Sequence, residues 1–374
     1  MLNEVWIQGY RSVRKFIMPL KRINLVQGAN GCGKSNLYNA IHLLASAATG
    51  DLAKSICAEG GINQTMWAGG LRRGDLADAP RRIILGMQAE QFGYELQIGL
   101  PPPPASPVFA FEPEIKLEEA WLGGRRSPSN QLLIRRNQAV KVLGIDGDKV
   151  DYSPGMLPHE SVFSHIAEPE RYPELARLRQ LLNGWRFYHY FDVSPASPLR
   201  NPQLAIRTPV LNHDGRDLAA AFATIVEIGD SDQLHRILAE AFPDANFHVR
   251  NSEAGLEMMM TRKGLWRPLR AKELSDGTLH MLCLTVALLS PRPASLIVLN
   301  EPESSLHPDM LPALGQLIVE ASRYSQLWIT THSSVLTQAI EAHTPFINRI
   351  SLKMINGETC VYESALREWR FDEE

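Results

Sequence analysis

Eight residues constrain this chain more than any others: Gly28-Ala29-Asn30-Gly31-Cys32-Gly33-Lys34-Ser35. The strand-like run Ile23-Asn24-Leu25-Val26 precedes them, and a helical run from Asn36 to Ala47 follows. G-x-x-x-x-G-K-S between a strand and a helix is the spacing of a loop that cradles phosphates. Glycines let the backbone curl so that successive N–H groups point inward at anionic oxygens. The helix that starts beside Gly33 adds the positive end of its dipole. In that setting Lys34 is expected to reach the β- and γ-phosphates as a point charge, and Ser35 to offer its hydroxyl to Mg²⁺. The stretch therefore predicts a nucleoside triphosphate site.

Composition bounds the rest. With 374 residues the chain has room for two domains, or for one large α/β domain with an insertion. The run Met281–Leu289 is about half of what spans a bilayer, so no transmembrane helix and no membrane partner are expected. Residues 1–6 lack a basic region followed by a long apolar one, so no signal peptide is expected. Cys32, Cys57, Cys283 and Cys360 are scattered without a C-x-x-C pair, which fits reduced thiols and a cytoplasmic location. The net charge of −3 is unevenly spread: residues 1–150 carry an excess of Lys and Arg, the remainder an excess of Asp and Glu. Arginine pairs recur in the first part, at Arg72-Arg73, Arg81-Arg82, Arg125-Arg126 and Arg135-Arg136. They read either as phosphate contacts to nucleic acid or as solvated loop and strand-edge charges.

Taken in order, Val5–Ile7, Lys15–Ile17 and Ile23–Val26 read as strands entering the glycine loop. Beyond the loop helix, Gly60-Gly61 and Gly69-Gly70 bracket a turn-rich segment holding Gln64 and Trp67. Residues 83–87, 94–98, 115–120, 131–135 and 140–145 have strand composition. The run Pro101-Pro102-Pro103-Pro104 marks an extended surface connection. From Pro158 the character changes. A helix is expected from Pro173 to Leu182, a strand over Trp185–Phe191, a long loop from Ser194 to Pro209, and helices over 217–228 and 232–241. The boundaries are expected at 1–157 for a β-rich N-terminal lobe, 158–245 for a helical lateral insertion, and 246–374 for a C-terminal lobe.

Four later pieces separate the possible uses of a phosphate loop. Leu274-Ser275-Asp276-Gly277-Thr278 precedes an amphipathic helix with Leu279, Leu282, Cys283, Val286 and Leu289 at helical spacing. Ser275 reads as an N-cap, and Gly277 would let a phosphate approach the helix N-terminus. The apolar run Leu296-Ile297-Val298-Leu299, ending in Asn300-Glu301-Pro302-Glu303, is what a strand buried on both faces of a parallel sheet should look like. Its polar end falls where open α/β sheets bind ligands. Ser304-Ser305-Leu306-His307-Pro308 leads into a helix to about Arg323. A further buried strand, Leu327–Thr330, ends at Thr331-His332-Ser333.

These pieces, in this order, resemble the phosphate loop, signature, acidic strand and switch histidine of ABC-type ATPases. Tyr10-Arg11-Ser12 and the Leu-Ser-Asp-Gly-Thr signature are similar to the SMC/RecF-like branch, and more closely to a group of bacterial predicted ATPases of about this length. Trp185–Arg200 and Leu211–Ile228 resemble that group as well. The resemblance implies a P-loop NTPase fold of the ABC head type: a β-rich N-terminal lobe, a parallel-sheet core and a helical insertion. It implies that Gly28, Asn30, Gly31, Gly33, Lys34, Ser35 and Asn36 hold ATP, with Arg11 and Ser12 bordering it. Ser275 and Gly277 would grip the γ-phosphate of a second copy, making an ATP-dependent homodimer. Glu301 would polarise the attacking water and His332 would sense the γ-phosphate.

The wider superfamily has Asp where this chain has Asn300, which keeps a carbonyl acceptor beside Mg²⁺ but loses a charge. A slow ATPase is expected on that ground. The resemblance also implies a Mg²⁺-ligating glutamine; Gln64 suits by position, with a solvated loop glutamine as the alternative. No long heptad tract is present, so no large coiled coil is expected, nor an appended nuclease domain. The implied role is ATP-driven action on DNA or a protein partner in repair or anti-phage defence. The alternative is an ATP-gated module that hydrolyses slowly and regulates a separate effector protein. A small-molecule kinase leaves Leu274–Thr278 and His332 unexplained.

Overall fold

The computed structural model describes residues 1–70, 82–102, 108–109, 111–152, 155–166 and 168–362. It divides into two compact units. The first holds Met1–Lys21, Val26–Trp185 and the residues from Arg349, and the second holds Arg22–Leu25 and Arg186–Asn348.

The first unit starts with β1 (Leu2–Tyr10), β2 (Val13–Pro19) and β3 (Ile23–Gly28), the last beginning in the second unit and leading into the glycine loop. Helix α1 (Lys34–Thr49) follows, then α2 (Leu52–Ala58) and the one-turn α3 (Ile62–Thr65) inside the segment read as turn-rich. Six more strands come next: β4 (Ile83–Ala89), β5 (Phe92–Gly99), β6 (Glu114–Leu122), β7 (Gln131–Arg136), β8 (Ala139–Leu143) and β9 (Lys149–Asp151). With β1 and β2 they form an antiparallel sheet in the order β2-β1-β4-β5-β6-β7-β8-β9. From Lys15 to Pro19 in β2 exposed and buried residues alternate, the pattern of a strand with one face in a core. Helix α1 packs on β1 and β4 and against α4 (Pro173–Asn183). Both flanks of the glycine loop, β3 and α1, are thus seated by buried side chains such as Val26, Leu37, Ile41 and Leu44.

In the second unit β10 covers only Arg186–Tyr188, shorter than the strand expected over Trp185–Phe191. Helices α5 (Leu218–Ile228) and α6 (Ser231–Ala241) follow. An antiparallel sheet of β11 (Ala245–Ser252), β12 (Gly255–Arg262) and β13 (Leu269–Arg270) then precedes α7 (Asp276–Leu288). Strand β14 (Leu296–Asn300), helix α8 (Leu311–Ala321), strand β15 (Gln326–Thr331) and helix α9 (Ser334–Glu341) complete the unit. Strands β10, β14 and β15 are parallel, with Asn300 opposite Thr330. Arg22–Leu25 run beside β15, where the Leu327 N–H donates to Arg22 O at 2.8 Å. Asn24, fully buried in an otherwise apolar run, is satisfied there: its Nδ2 donates to Leu327 O at 3.0 Å and its Oδ1 accepts from Asn348 Nδ2 at 3.0 Å. Helix α7 departs from the amphipathic expectation. Met281, Leu284 and Ala287 are buried along with Leu279, Leu282, Cys283 and Val286, so the helix is enclosed by α5, α6 and α8 rather than lying on a surface.

The chain re-enters the first unit through β16 (Ile347–Ile355) and β17 (Glu358–Val361), an antiparallel hairpin. Of the arginine pairs, Arg135 is wholly buried and therefore no phosphate contact. Its Nε donates to Asn137 O at 2.7 Å and its Nη2 to Pro158 O at 3.1 Å, with Glu118 3.9 Å away. Arg126 pairs with Glu119, while Arg125 and Arg136 are exposed. Arg72, Arg73, Arg81, Pro103 and Pro104 lie outside the described residues.

Candidate functional site

The predicted residues fall into two groups, one in each unit. In the first unit, Gly31 and Gly33 take φ values of +79° and +102°, where an L side chain is strained. Close approach adds a second reason for glycine. A Cβ on Gly28 would stand 2.6 Å from Leu352 O, and one on Gly33 would stand 2.0 Å from Thr359 Oγ1. The hairpin β16–β17 therefore lies directly on the loop. Helix α1 has Gly33 at its N-cap and no side chain bonded to its first N–H groups. Lys34, 5% exposed, folds back so that Nζ donates to Gly28 O at 2.8 Å and Ala29 O at 3.3 Å. Ser35, Ala29, Asn30 and Gly31 are exposed.

This donor set fits an anionic triphosphate: a 16-residue helix with an uncapped N-terminus, a lysine tethered to the loop it would serve, and exposed loop residues from Ala29 to Gly31. Mg²⁺ fits less independently. Among the described residues no cluster of three or more His, Cys, Asp or Glu could hold a metal. An ion at the Ser35 hydroxyl would depend on phosphate oxygens and water, as Mg²⁺ commonly does.

Arg11, Ser12 and Asn36 are drawn into one network beside the loop. Asn36 Nδ2 donates to Ser12 Oγ at 2.7 Å, Ser12 Oγ and Thr359 Oγ1 are 2.7 Å apart, and the Thr359 N–H donates to Ser12 O at 2.8 Å. Arg11 has φ +48°, and its Nη2 donates to Glu59 Oε2 at 2.9 Å, an oxygen that Tyr10 Oη also reaches. The phenol of Tyr10 is pushed well above its ordinary value by burial and by Glu59. The Arg11 N–H donates to Thr65 O at 2.9 Å, and the Ala68 N–H to Arg11 O. Gln64, exposed on α3, is thus one residue from a backbone contact to Arg11.

In the second unit, Ser275 caps α7: its Oγ accepts from the Thr278 N–H at 3.2 Å and lies 2.8 Å from Thr278 Oγ1. Gly277 is required by packing, since a Cβ would meet Ser305 O at 2.6 Å. Before the cap, Glu273 makes bonds of 2.7 and 2.9 Å to Arg267 and accepts the Arg270 N–H; the hydrogen bonds from Arg267, then from that N–H, hold its carboxyl down at about 2.

Asn300 ends β14, its Oδ1 accepting from Thr330 Oγ1 at 2.6 Å. The next residue, Glu301, turns the chain at φ +47°, held by its N–H to Thr330 O at 2.8 Å. Glu301 Oε1 lies 3.7 Å from His332 Nδ1. Among the described residues five non-glycine positions have positive φ, and Arg11, Glu301 and Ser305 lie in the predicted motifs. Such conformations cost roughly 1–3 kcal/mol each and persist only where the surroundings enforce them.

Sequence reasoning missed Arg200, Glu303, Thr359 and Glu59. Arg200, 5% exposed, donates to Val193 O, Ser194 O, Ala271 O, Leu274 O and Asp276 Oδ1 at 2.5–3.2 Å. It clamps both flanks of Ser275 to a loop more than seventy residues upstream.

A family profile described as "AAA domain, putative AbiEii toxin, Type IV TA system" matches residues 159–337, just under half of the chain, and includes Ser275, Glu301 and His332. No curated protein matches the sequence. Among solved structures, an SMC head bound to the C-winged helix domain of ScpA aligns over 96% of this chain and 97% of its own, at 16% identity and a TM-score of 0.51. An SMC head with an extended coiled coil bound to the C-terminal domain of ScpA, derived from Pyrococcus furiosus, aligns over 96% of this chain and 95% of its own, at 14% identity and a TM-score of 0.50. Identities this low speak of fold alone. The chain has the mixed α/β fold of these SMC heads. Among the described residues no helix is long and apolar enough to cross a membrane.

Proposed function

We propose that this chain is an ATPase that binds ATP with Mg²⁺ and cleaves it to ADP and phosphate. The observation that carries the reading is the uncapped α1 N-terminus with Lys34 tethered beside it. In this reading Gly28, Asn30, Gly31, Gly33, Lys34 and Asn36 hold the triphosphate, and Arg11 exchanges Glu59 for phosphate. Ser35, with Gln64 and Asn300 in support, would hold Mg²⁺, which would supply charge neutralisation on the phosphate oxygens. Glu301 orients the attacking water, and its enforced backbone turn keeps the carboxylate in place. His332 senses the γ-phosphate. Ser275 and Gly277 meet the γ-phosphate of a second copy, so that ATP drives homodimerisation, and the dimer acts on DNA or a protein partner in repair or defence.

Asn300 favours a second reading, in which the chain is an ATP-gated module that hydrolyses slowly and controls a separate effector. Its side-chain oxygen already serves Thr330, and it brings no charge to the metal. DNA separates the two: stimulation of turnover supports the first reading, and indifference to DNA with ATP-dependent capture of a protein supports the second.

Calorimetry of ATP·Mg²⁺ binding to the wild type and to Lys34→Ala tests the common core. One charge-assisted hydrogen bond is worth about 1.5–3 kcal/mol, so affinity should fall at least about tenfold with an unchanged circular dichroism spectrum. Equal affinity for the two proteins overturns the reading.

A further inference from the structure

Glu303 is 8% exposed, yet it ends no strand and pairs with no lysine or arginine among the described residues. Its Oε1 instead gathers three donors from one turn: Thr331 Oγ1 at 2.5 Å, the His332 N–H at 3.1 Å and the Ser333 N–H at 3.2 Å. That turn joins β15 to α9, whose N-cap is Ser333. A carboxylate there is favoured by the helix dipole and by the N–H groups the helix leaves over. The same Oε1 stands 3.5 Å from His332 Nδ1, while Glu301 Oε1 stands 3.7 Å from it on the other carboxylate. Two carboxylate oxygens within 4 Å of Nδ1 favour the ring proton on that nitrogen and leave Nε2 facing away from them. Glu303 Oε2, also buried, has no hydrogen-bond partner among the described residues.

We infer that Glu303 is a positioning residue: it fixes the Thr331-His332-Ser333 turn by accepting hydrogen bonds, and its oxygen beside Nδ1 sets the tautomer of His332, without touching nucleotide. The functional half of this inference rests on the proposed ATPase reading; the tautomer half does not. Accepting three donors at one oxygen needs a carbonyl-type acceptor, not a charge, so glutamine should substitute. Only one amide orientation serves, with the oxygen at the Oε1 position.

The test compares Glu303→Gln and Glu303→Ala in the full chain by three readouts. ATP affinity should stay within about twofold in both variants. Turnover should stay within about threefold for Glu303→Gln and fall about 10–100-fold for Glu303→Ala, the range typical of lost supports to a functional histidine. Nitrogen NMR of ¹⁵N-histidine-labelled protein, with His332 assigned through His332→Gln, should show Nδ1–H in the wild type and Glu303→Gln, and a shift towards Nε2–H in Glu303→Ala. Should Glu303→Ala not fold, Thr331→Val, which deletes one donor to Oε1 but leaves that oxygen beside Nδ1, should lower turnover about threefold with the tautomer kept, and unchanged turnover would overturn the inference. Loss in Glu303→Gln equal to that in Glu303→Ala overturns the inference in favour of charge or proton transfer at Glu303. An unchanged tautomer in Glu303→Ala overturns it outright. If the wild type does not hydrolyse ATP, the ATPase reading fails, and the tautomer alone decides the role of Glu303.

Discussion

At Asn300 one atom carries the question of rate. Its Oδ1 accepts a 2.6 Å hydrogen bond from Thr330 Oγ1, which fixes the amide at the end of β14 next to the left-handed Glu301. An aspartate there would keep that acceptor and add a unit of negative charge. A unit pair 4 Å apart at an effective dielectric near 20 is worth about 4 kcal/mol, an upper guide where water intervenes. On the proposed reading, Asn300→Asp is therefore expected to lower the Mg²⁺ concentration for half-maximal ATP turnover, with Glu301 left in place. Titrating turnover against Mg²⁺ for both proteins checks this. Coincident midpoints would mean that Asn300 does not stand beside the metal. The same scale explains Gly28 and Gly33, where Leu352 O and Thr359 Oγ1 leave no room for a side chain, whereas Gly31 is fixed by its left-handed backbone.

Helix α7 is the element whose two roles compete. Its burial on all sides comes from packing against α5, α6 and α8, and Arg200 fastens its entry by bonds to Leu274 O and Asp276. Ser275 is already an N-cap, so replacing it by a non-capping residue would cost about 0.5–2 kcal/mol and confuse two effects. Ser275→Asp separates them, because aspartate caps as well as serine but repels phosphate. In a Glu301→Gln background, expected on the proposed reading to bind ATP and cleave it slowly, light scattering is expected to show a dimer with ATP and a monomer without. Adding Ser275→Asp should abolish the dimer while the melting temperature holds. A dimer that survives this change would reduce Ser275 to a helix cap.

For the molecule as a whole, His280 ties stability to pH. It sits on α7, edge-on to Phe191, with Nε2 3.2 Å from Pro302 O, and burial holds its imidazole below the ordinary range despite that bond. As pH falls through about 6.5, the unfolded chain takes up a proton here that the folded chain refuses, so stability declines towards lower pH. His280→Gln keeps a donor for Pro302 O and removes the titration. Denaturant unfolding at about pH 7.5 and about pH 5.5 should show a smaller loss for the variant than for the wild type. Equal losses would assign the decline to other groups.

The sequence alone carried what is local. A glycine loop needs only its own residues and the helix after it, so Gly28–Ser35 could be read from spacing, and buried parallel strands announce themselves as apolar runs ending in Asn300-Glu301 and Thr331-His332. The antiparallel strands β4 to β8 were legible in the same way, from residue composition. What only the tertiary structure decided is which distant groups meet. Arg135 in a strand pair looks like a surface arginine until four backbone carbonyls and Glu118 enclose it. Arg200 beside the signature, Thr359 over Gly33 and Glu303 under the His332 turn join segments separated by tens to hundreds of residues. Hydrogen-bond partners are chosen by burial and geometry, because a polar group removed from water must take whatever donor or acceptor the fold brings within reach. Spacing along a chain holds no record of that choice.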